Sequence, residues 1–477
     1  MTDLTARFER YRSLLAGCGQ SHLLAFWHEL DHAGRRRLLA DLDQIEFDAL
    51  PPLIEQYVRT RQALDVASPL ESPDPFPAVP GAGHEDLYRR ARLLGAAAIR
   101  EGQVAAFTVA GGQGTRLGSD GPKGALAISP IRNVSLFQLF AEYLRGVERR
   151  YGRRPRWYVM TSPSNHDETL RFFSQHASFG LPPEDLIFFP QRQMPAFHAD
   201  GRVALADKDR IALSPDGHGG SLRALAESGA LSDMAAHGIE YISYFQVDNP
   251  LVHCVDPLFI GLHIATGSEM SSKAVRKADD LERVGNFCLA AGKLTVIEYS
   301  DLPQELARAR NPDGSRRFDA GSIAVHVLSR AFVERLTARH AAVQLPWHRA
   351  EKKVETIDAA GRPVQPERPN AVKLETFVFD AIPLARNPLV LYTPREEEFS
   401  PVKNADGVDS PAAARRDLVR RAARWLEACG CRVPRDAGGE PDLPIEISPA
   451  FALDADDLRE QLTQPPRIER GRALLLA

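Results

Sequence analysis

The sequence predicts an α/β fold with a mostly parallel central sheet, preceded by a helical N-terminal region and followed by a small C-terminal domain. Three observations carry that reading. From about residue 98, short apolar runs alternate with helical segments, the pattern of strands joined by helices. The first seventy residues instead place Leu14-Leu15, Leu23-Leu24, Phe26-Trp27, Leu38-Leu39, Leu42 and Ile45 at helical spacing among charges. Finally, the apolar run 104–109 leads straight into a glycine-rich loop, the kind of strand end at which open α/β sheets bind ligands. The expected boundaries are 1–97, 98–388 and 389–477.

Within the central region, strands are expected over 104–109, 157–161, 186–189, 241–247, 296–299, 322–328 and 373–379. Ser135 is positioned to cap a helix over 136–149, because its hydroxyl can accept from a free N–H of the first turn. The Pro- and Gly-rich stretch 68–83 reads as a connector. Past residue 390 comes an acidic loop, Arg395-Glu396-Glu397-Glu398-Phe399, then a helix over 412–429 and a Pro-rich tail.

Composition excludes several classes. The 477 residues are 44% hydrophobic and 26% charged, ordinary for a globular protein. A net charge of -4 gives no nucleic-acid footprint. The five cysteines are scattered and odd in number, which argues against a disulfide framework. No apolar leader and no run of about 18 apolar residues occurs, so a cytoplasmic protein without a membrane partner is expected. His28 and His32 have i, i+4 spacing but lack the carboxylate of a zinc-protease motif.

The loop Gly111-Gly112-Gln113-Gly114-Thr115-Arg116-Leu117-Gly118 continues to Pro122-Lys123-Gly124. Without Cβ atoms in the way, its backbone N–H groups can approach a ligand, and Arg116 and Lys123 add two cations. It fits neither the dinucleotide fingerprint nor the P-loop, since Gly118 is displaced and no Gly-Lys-Ser/Thr follows. A strand, a glycine cradle and two cations suit a nucleoside triphosphate. Gln191 and Asp248 also fall at expected strand ends. Asp248 suits Mg²⁺ beside phosphates, or with Asn249 simply turns the chain before Pro250. A second cluster, Asp216-Gly217-His218-Gly219-Gly220, precedes a helix from 222 and reads either as a turn or as a ligand-binding junction.

With these segments in hand, the chain resembles the eukaryote-type UDP-N-acetylhexosamine pyrophosphorylases, within the UTP–sugar-1-phosphate uridylyltransferase family. The likeness runs from His22-Leu23-Leu24-Ala25-Phe26-Trp27 to the stretch ending Pro401-Val402-Lys403-Asn404-Ala405-Asp406. Between them lie the glycine loop, 214–220, 246–249, Leu345-Pro346-Trp347-His348 and the block 373–380. The resemblance implies a Rossmann-like nucleotidyltransferase domain and a reaction between UTP and a hexose 1-phosphate, with N-acetylglucosamine 1-phosphate the leading sugar. It implies Mg²⁺ (or Mn²⁺) on Asp248, and catalytic cations in Arg116, Lys123 and Lys403. Gly111, Gly112 and Thr115 would line the triphosphate loop, and Gln191 and Gly217 would read uracil. Gly285 and Glu298 would contact the sugar, with Phe377 and Phe379 walling its pocket.

Two departures stand out. Family asparagines that face the amino sugar are replaced by His218 and Ser322. UDP-glucose and UDP-sugar pyrophosphorylases share a Gly-His-Gly element, so glucose or galactose 1-phosphate, or a broad sugar range, is the alternative. Outside the class stands a nucleotide-binding scaffold without turnover. Such a scaffold would not need Arg116, Lys123, Asp248 and Lys403 together.

Overall fold

The computed structural model describes residues 2–60, 70–81, 83–118, 121–338 and 345–477. The chain divides into two compact units, neither continuous in sequence. The sheet unit comprises Val66–Pro190, Leu222–Val343 and Ala381–Ala477. The N-terminal unit comprises Met1–Asp65, Gln191–Ser221 and Gln344–Asp380. The expected boundaries at 97 and 388 follow chain order, whereas the units interleave.

The sheet unit is built on ten strands: β1 (Leu70–Glu71), β2 (Val104–Val109), β3 (Trp157–Thr161), β4 (Leu186–Pro190), β5 (Tyr241–Gln246), β6 (Met270–Arg276), β7 (Gly285–Ala290), β8 (Lys293–Ile297), β9 (Ala320–Ser329) and β10 (Leu389–Tyr392). The main order is β1-β7-β9-β5-β2-β3-β4, with β6 pairing β9 and β10, and β8 pairing β7. Pairings among β5, β2, β3 and β4 are parallel. Those of β9 with β5, β6 and β7 are antiparallel. The parallel strands are near-continuous apolar runs because both faces are covered; every residue of β3 is buried. Trp157 fits there because its indole N–H donates to Thr108 Oγ1 at 2.8 Å.

Ser135 caps Leu136–Tyr151 as expected, its hydroxyl accepting from the Gln138 N–H at 3.1 Å. The expected connector is instead part of the sheet. β1 pairs β7, and Phe76 bridges Leu391; residues 68, 69 and 82 lie outside the described residues. The C-terminal segment packs the helix Pro411–Ala428 against a parallel pair, Ile445–Ile447 with Leu474–Leu476. Arg132 ties this segment to the sheet unit through Glu446 and Glu142.

The N-terminal unit packs the helices Thr2–Gly17 and His32–Leu42 around Leu15, Leu38, Leu39 and Phe47, together with Phe197, Ile211 and Leu374 from later segments. Gln20 secures that junction, donating to Gly201 O and accepting from the Val203 N–H. His22 donates to Val203 O at 2.8 Å, and burial lowers its pKa. Among the described residues no helix is long and apolar enough to cross a membrane.

Candidate active site

In the sheet unit, β2 delivers the chain to the glycine loop. The Ala110 N–H closes the last ladder bond to Met160 O. The loop then folds back on itself, with Gly114 N–H donating to Gly121 O at 2.8 Å and Lys123 N–H to Gly112 O at 3.1 Å. Asn165 braces it, its amide nitrogen donating to Ala110 O and Gly112 O. Among the described residues, nothing accepts from the N–H groups of Gly111, Gly112 and Gln113. Successive free N–H groups at a strand end are an anion cradle. Thr115 and Arg116 lie in a short 3₁₀ turn, Thr115–Leu117; the Arg116 side chain lies outside the described part.

Beside the cradle, Lys123 Nζ stands 3.6 Å from Asp248 Oδ2. Asp248 follows the end of β5, and its carbonyl accepts from the Val402 N–H at 2.8 Å. That bond brings the neighbouring Lys403 to the same turn. Lys403 is exposed, with its ammonium 5.9 Å from the Phe399 ring. A carboxylate beside a lysine, at the lip of an anion cradle, suits a magnesium ion completed by phosphate oxygens and water. It would not suit a metal that needs a full protein cage.

Gly285, Glu298 and Ser322 also come together in this unit. Gly285 and Ser322 are register partners on β7 and β9. A Cβ at Gly285 would lie 2.6 Å from Val296 Cγ1, 3.6 Å from Glu298 Oε1 and 3.7 Å from Ser322 Cβ, so glycine there lets the strand lie close against Val296 beside Glu298 and Ser322. The strand expected over 296–299 is β8, which ends at Ile297, so Glu298 stands just past a strand end.

The N-terminal unit gathers Gln191, Gly217, His218, Phe377 and Phe379. The Gln191 amide nitrogen donates to Asp216 Oδ1 at 3.0 Å and to Gly217 O at 3.3 Å. Both partners are acceptors, which fixes the amide orientation. Its oxygen takes no donor among the described residues, and neither is the Gly217 N–H taken. An open acceptor beside an open donor is complementary to the imide edge of uracil, N3–H next to a carbonyl.

Expectation and structure part over 373–379. The strand ends at Glu375, and Val378–Leu384 is a 3₁₀ segment. The cause is Thr376, whose N–H donates to Asp216 O at 2.8 Å and whose carbonyl accepts from the Gly219 N–H at 2.8 Å. The backbone leaves its ladder to bind the second glycine cluster. A Cβ at Gly217, where φ is +87°, would meet Thr376 O at 2.3 Å, and one at Gly219 would meet Phe377 N at 2.7 Å.

His218 is locked by the same junction. The Val378 N–H donates to His218 Nδ1 at 3.1 Å, so the ring proton of the neutral form sits on Nε2. Burial, followed by the nearby His348, pulls its pKa down to about 4. The ring stacks on Phe377 at 5.1 Å and lies 5.6 Å from Phe379. His348, on the other side of Phe377 at 4.3 Å, meets Asp380 Oδ2 at 2.8 Å. His218 therefore offers a ligand one donor and no acceptor, unlike an asparagine, which offers both.

The sequence offers Asn249 only as a turn residue and Glu398 only as part of an acidic loop, and gives no signal for Lys273; in the fold Glu398 is 2% exposed and bonded to the buried Lys273. His28 and His32 join no metal-binding cluster among the described residues.

The sheet unit carries the features of a nucleotide-handling enzyme on an α/β sheet: a strand-end cradle of free N–H groups and a cation–carboxylate pair. The profile of the UTP–glucose-1-phosphate uridylyltransferase family matches residues 84–416, and the chain belongs to that family. It is 38% identical to UDP-N-acetylhexosamine pyrophosphorylase-like protein 1 of Homo sapiens, over 96% of this chain and 94% of that protein. It is 35% identical to the UDP-N-acetylglucosamine pyrophosphorylase of Saccharomyces cerevisiae, over 94% of this chain and 96% of that one. The crystal structure of the Trypanosoma brucei uridine diphosphate N-acetylglucosamine pyrophosphorylase superposes with a TM-score of 0.82 at 28% identity, covering 99% of this chain and 98% of that one.

Proposed function

We propose that the protein is a UTP:sugar-1-phosphate uridylyltransferase that joins UTP to a hexose 1-phosphate, with N-acetylglucosamine 1-phosphate the leading sugar. A sugar-phosphate oxygen attacks the α-phosphorus of UTP in line, the bond to the β-phosphate oxygen breaks, and pyrophosphate leaves. The observation that carries this reading is the run of free N–H groups at Gly111, Gly112 and Gln113 beside the Lys123–Asp248 pair. The named relatives support the sugar.

Catalysis of this kind is positioning and charge stabilisation, because a sugar phosphate is already ionised and needs no general base. In this reading the free N–H groups and Thr115 hold the triphosphate. Arg116 and Lys123 offset charge on the α-phosphate and the leaving pyrophosphate. Lys403 draws in the sugar-linked phosphate. Gln191 and Gly217 select uracil. Asp248 is the residue that would hold Mg²⁺ or Mn²⁺, and the ion when bound neutralises phosphate oxygens. Gly285, Glu298 and Ser322 of the sheet unit are the candidates for sugar contact, and Phe377 and Phe379 of the N-terminal unit are the candidates for aromatic contact with it.

A second sugar is favoured by one observation. The donor-only Nε2–H of His218 suits a hydroxyl oxygen of glucose or galactose, but cannot accept from an acetamido N–H. Pyrophosphate release from UTP, measured with a panel of sugar 1-phosphates and with CTP as control, tests the whole reading. Release with UTP and N-acetylglucosamine 1-phosphate is expected. Release with glucose 1-phosphate alone would select the second sugar, and none with any sugar would overturn the function.

A further inference from the structure

Behind the Asp248 turn lies a buried charge cluster that the proposed reaction does not use directly. Lys273, midway along β6, is 1% exposed. Its ammonium donates to Asp256 Oδ2 and to Glu398 Oε2, each at 2.6 Å, and also to Glu398 Oε1. It lies 5.2 Å from the Phe259 ring. His253 Nδ1 is 3.1 Å from Glu398 Oε1. His253, Asp256 and Glu398 place potential metal ligands within 4.8 Å of one another, but both carboxylates already hold a cation, the Lys273 ammonium. Asp256 is fixed from a second direction, because its Oδ1 accepts from the Leu258 and Phe259 N–H groups of the helix Pro257–Ala265.

Burying two carboxylates and a lysine is costly and is weak evidence of a stabilising role. What the cluster does is hold one strap of chain. The Glu398 carbonyl accepts from Asn249 Nδ2 at 2.6 Å, and Asn249 Oδ1 accepts from the Ser400 N–H at 3.1 Å. Two residues on, the Val402 N–H donates to Asp248 O at 2.8 Å. Arg421 closes the other edge, donating to Leu251 O and Glu397 O. The residue after Asp248 and the residues before Lys403 are thus bonded side by side. The far end is pinned at Glu398.

We propose that Asn249 and the Lys273–Glu398 pair form a positioning clamp that fixes Lys403 relative to Asp248. The clamp rests on the uridylyltransferase reading, in which these two residues serve the two reacting phosphates. None of the three clamp residues touches substrate; they act through the strap 398–403. Displacing a catalytic group by an ångström can cost about 100-fold in rate, so the clamp's effect belongs in kcat and in the KM for sugar phosphate rather than in UTP binding.

The test uses the full-length protein with Asn249→Ala, which strands no buried charge, and Glu398→Gln, which keeps the shape and one of the two acceptors for Lys273. Asn249→Ala should lower kcat about 100-fold and raise the KM for sugar 1-phosphate, with the KM for UTP unchanged. Amide exchange at Ser400 and Val402 should quicken in the same variant. Glu398→Gln should retain most of the activity that Glu398→Ala loses. Folded Asn249→Ala protein with unchanged kcat and unchanged exchange would overturn the clamp, as would quickened exchange with unchanged kcat. If wild-type protein releases no pyrophosphate with any sugar 1-phosphate, the uridylyltransferase reading fails by itself. Exchange at Ser400 and Val402 then decides alone whether Asn249 ties the strap to the Asp248 turn.

Discussion

Lys123 Nζ and Asp248 Oδ2 stand 3.6 Å apart, with side chains 19% and 14% exposed. At that separation they attract without a tight hydrogen bond, so each can be transferred to a ligand of opposite charge. The pair is the point at which the nucleotide's charge would be divided.

Lys123→Ala should lower kcat about 100- to 1,000-fold while the fold survives, since the lysine opens a short 3₁₀ turn outside the sheet ladder. Pyrophosphate release under saturating UTP, alongside circular dichroism, checks this. Near-normal turnover would remove Lys123 from the mechanism.

Asp248→Asn removes the charge but keeps the turn, because the bond to Val402 uses the backbone carbonyl. The Mg²⁺ concentration for half-maximal rate should rise at least about tenfold. An unchanged metal titration would count against Asp248 as the ligand.

Gly217→Ala puts a methyl 2.3 Å from Thr376 O at a φ of +87°. The second glycine cluster must shift, and the donor next to Gln191 shifts with it. Titration calorimetry with UDP should show affinity falling about tenfold or more. Equal affinity in the variant would separate Gly217 from uracil recognition.

His218→Asn restores a side chain that both donates and accepts, so the kcat/KM ratio of N-acetylglucosamine 1-phosphate over glucose 1-phosphate should rise. The tautomer can be checked independently by ¹⁵N shifts of the imidazole, with the proton expected on Nε2. A static ratio would exclude His218 from sugar choice.

Acid stability follows from His263, buried between Ser271 Oγ at 2.8 Å and Ser329 Oγ at 2.9 Å. Burial lowers its pKa to about 3, against about 6.5 in an unfolded chain. The unfolded chain takes up its proton first as pH falls. The contribution of His263 is therefore complete above about pH 6.5 and is lost toward about pH 3, at up to about 1.4 kcal/mol per pH unit. His218, held at about 4, acts in the same direction over a narrower window. Urea midpoints measured from roughly pH 8 down to 4.5 should fall, and fall less steeply in His263→Gln. A parallel decline in both proteins would show that other groups govern the loss.

The parallel half of the sheet was legible because its strands are short, near-continuous apolar runs alternating with helices, and the Ser135 cap marks its helix in a single residue. The glycine loop could be read because loop chemistry is local. β6 could not. Its sequence, Met270-Ser-Ser-Lys-Ala-Val-Arg, looks half-exposed, and the burial of Lys273 is explained by Asp256 and by Glu398, the latter 125 residues away. For the same reason Glu398 passed for one more charge in an acidic run. The strand expected to reach Phe379 stops at Glu375, because its partner from Thr376 onward is a glycine cluster 160 residues earlier.

The Gln191 lock bears on how such a protein can change over generations. Its amide is oriented by Asp216 and by a main-chain oxygen, and the neighbouring donor is itself main chain. On the proposed reading, inverting a base preference set there would need several coordinated replacements, because the neighbouring donor belongs to the main chain. His218, by contrast, is a single side chain held by one backbone bond. If Gln191 and Gly217 read the base and His218 the sugar, the nucleobase is bound to the main chain, while the sugar rests on exchangeable side chains.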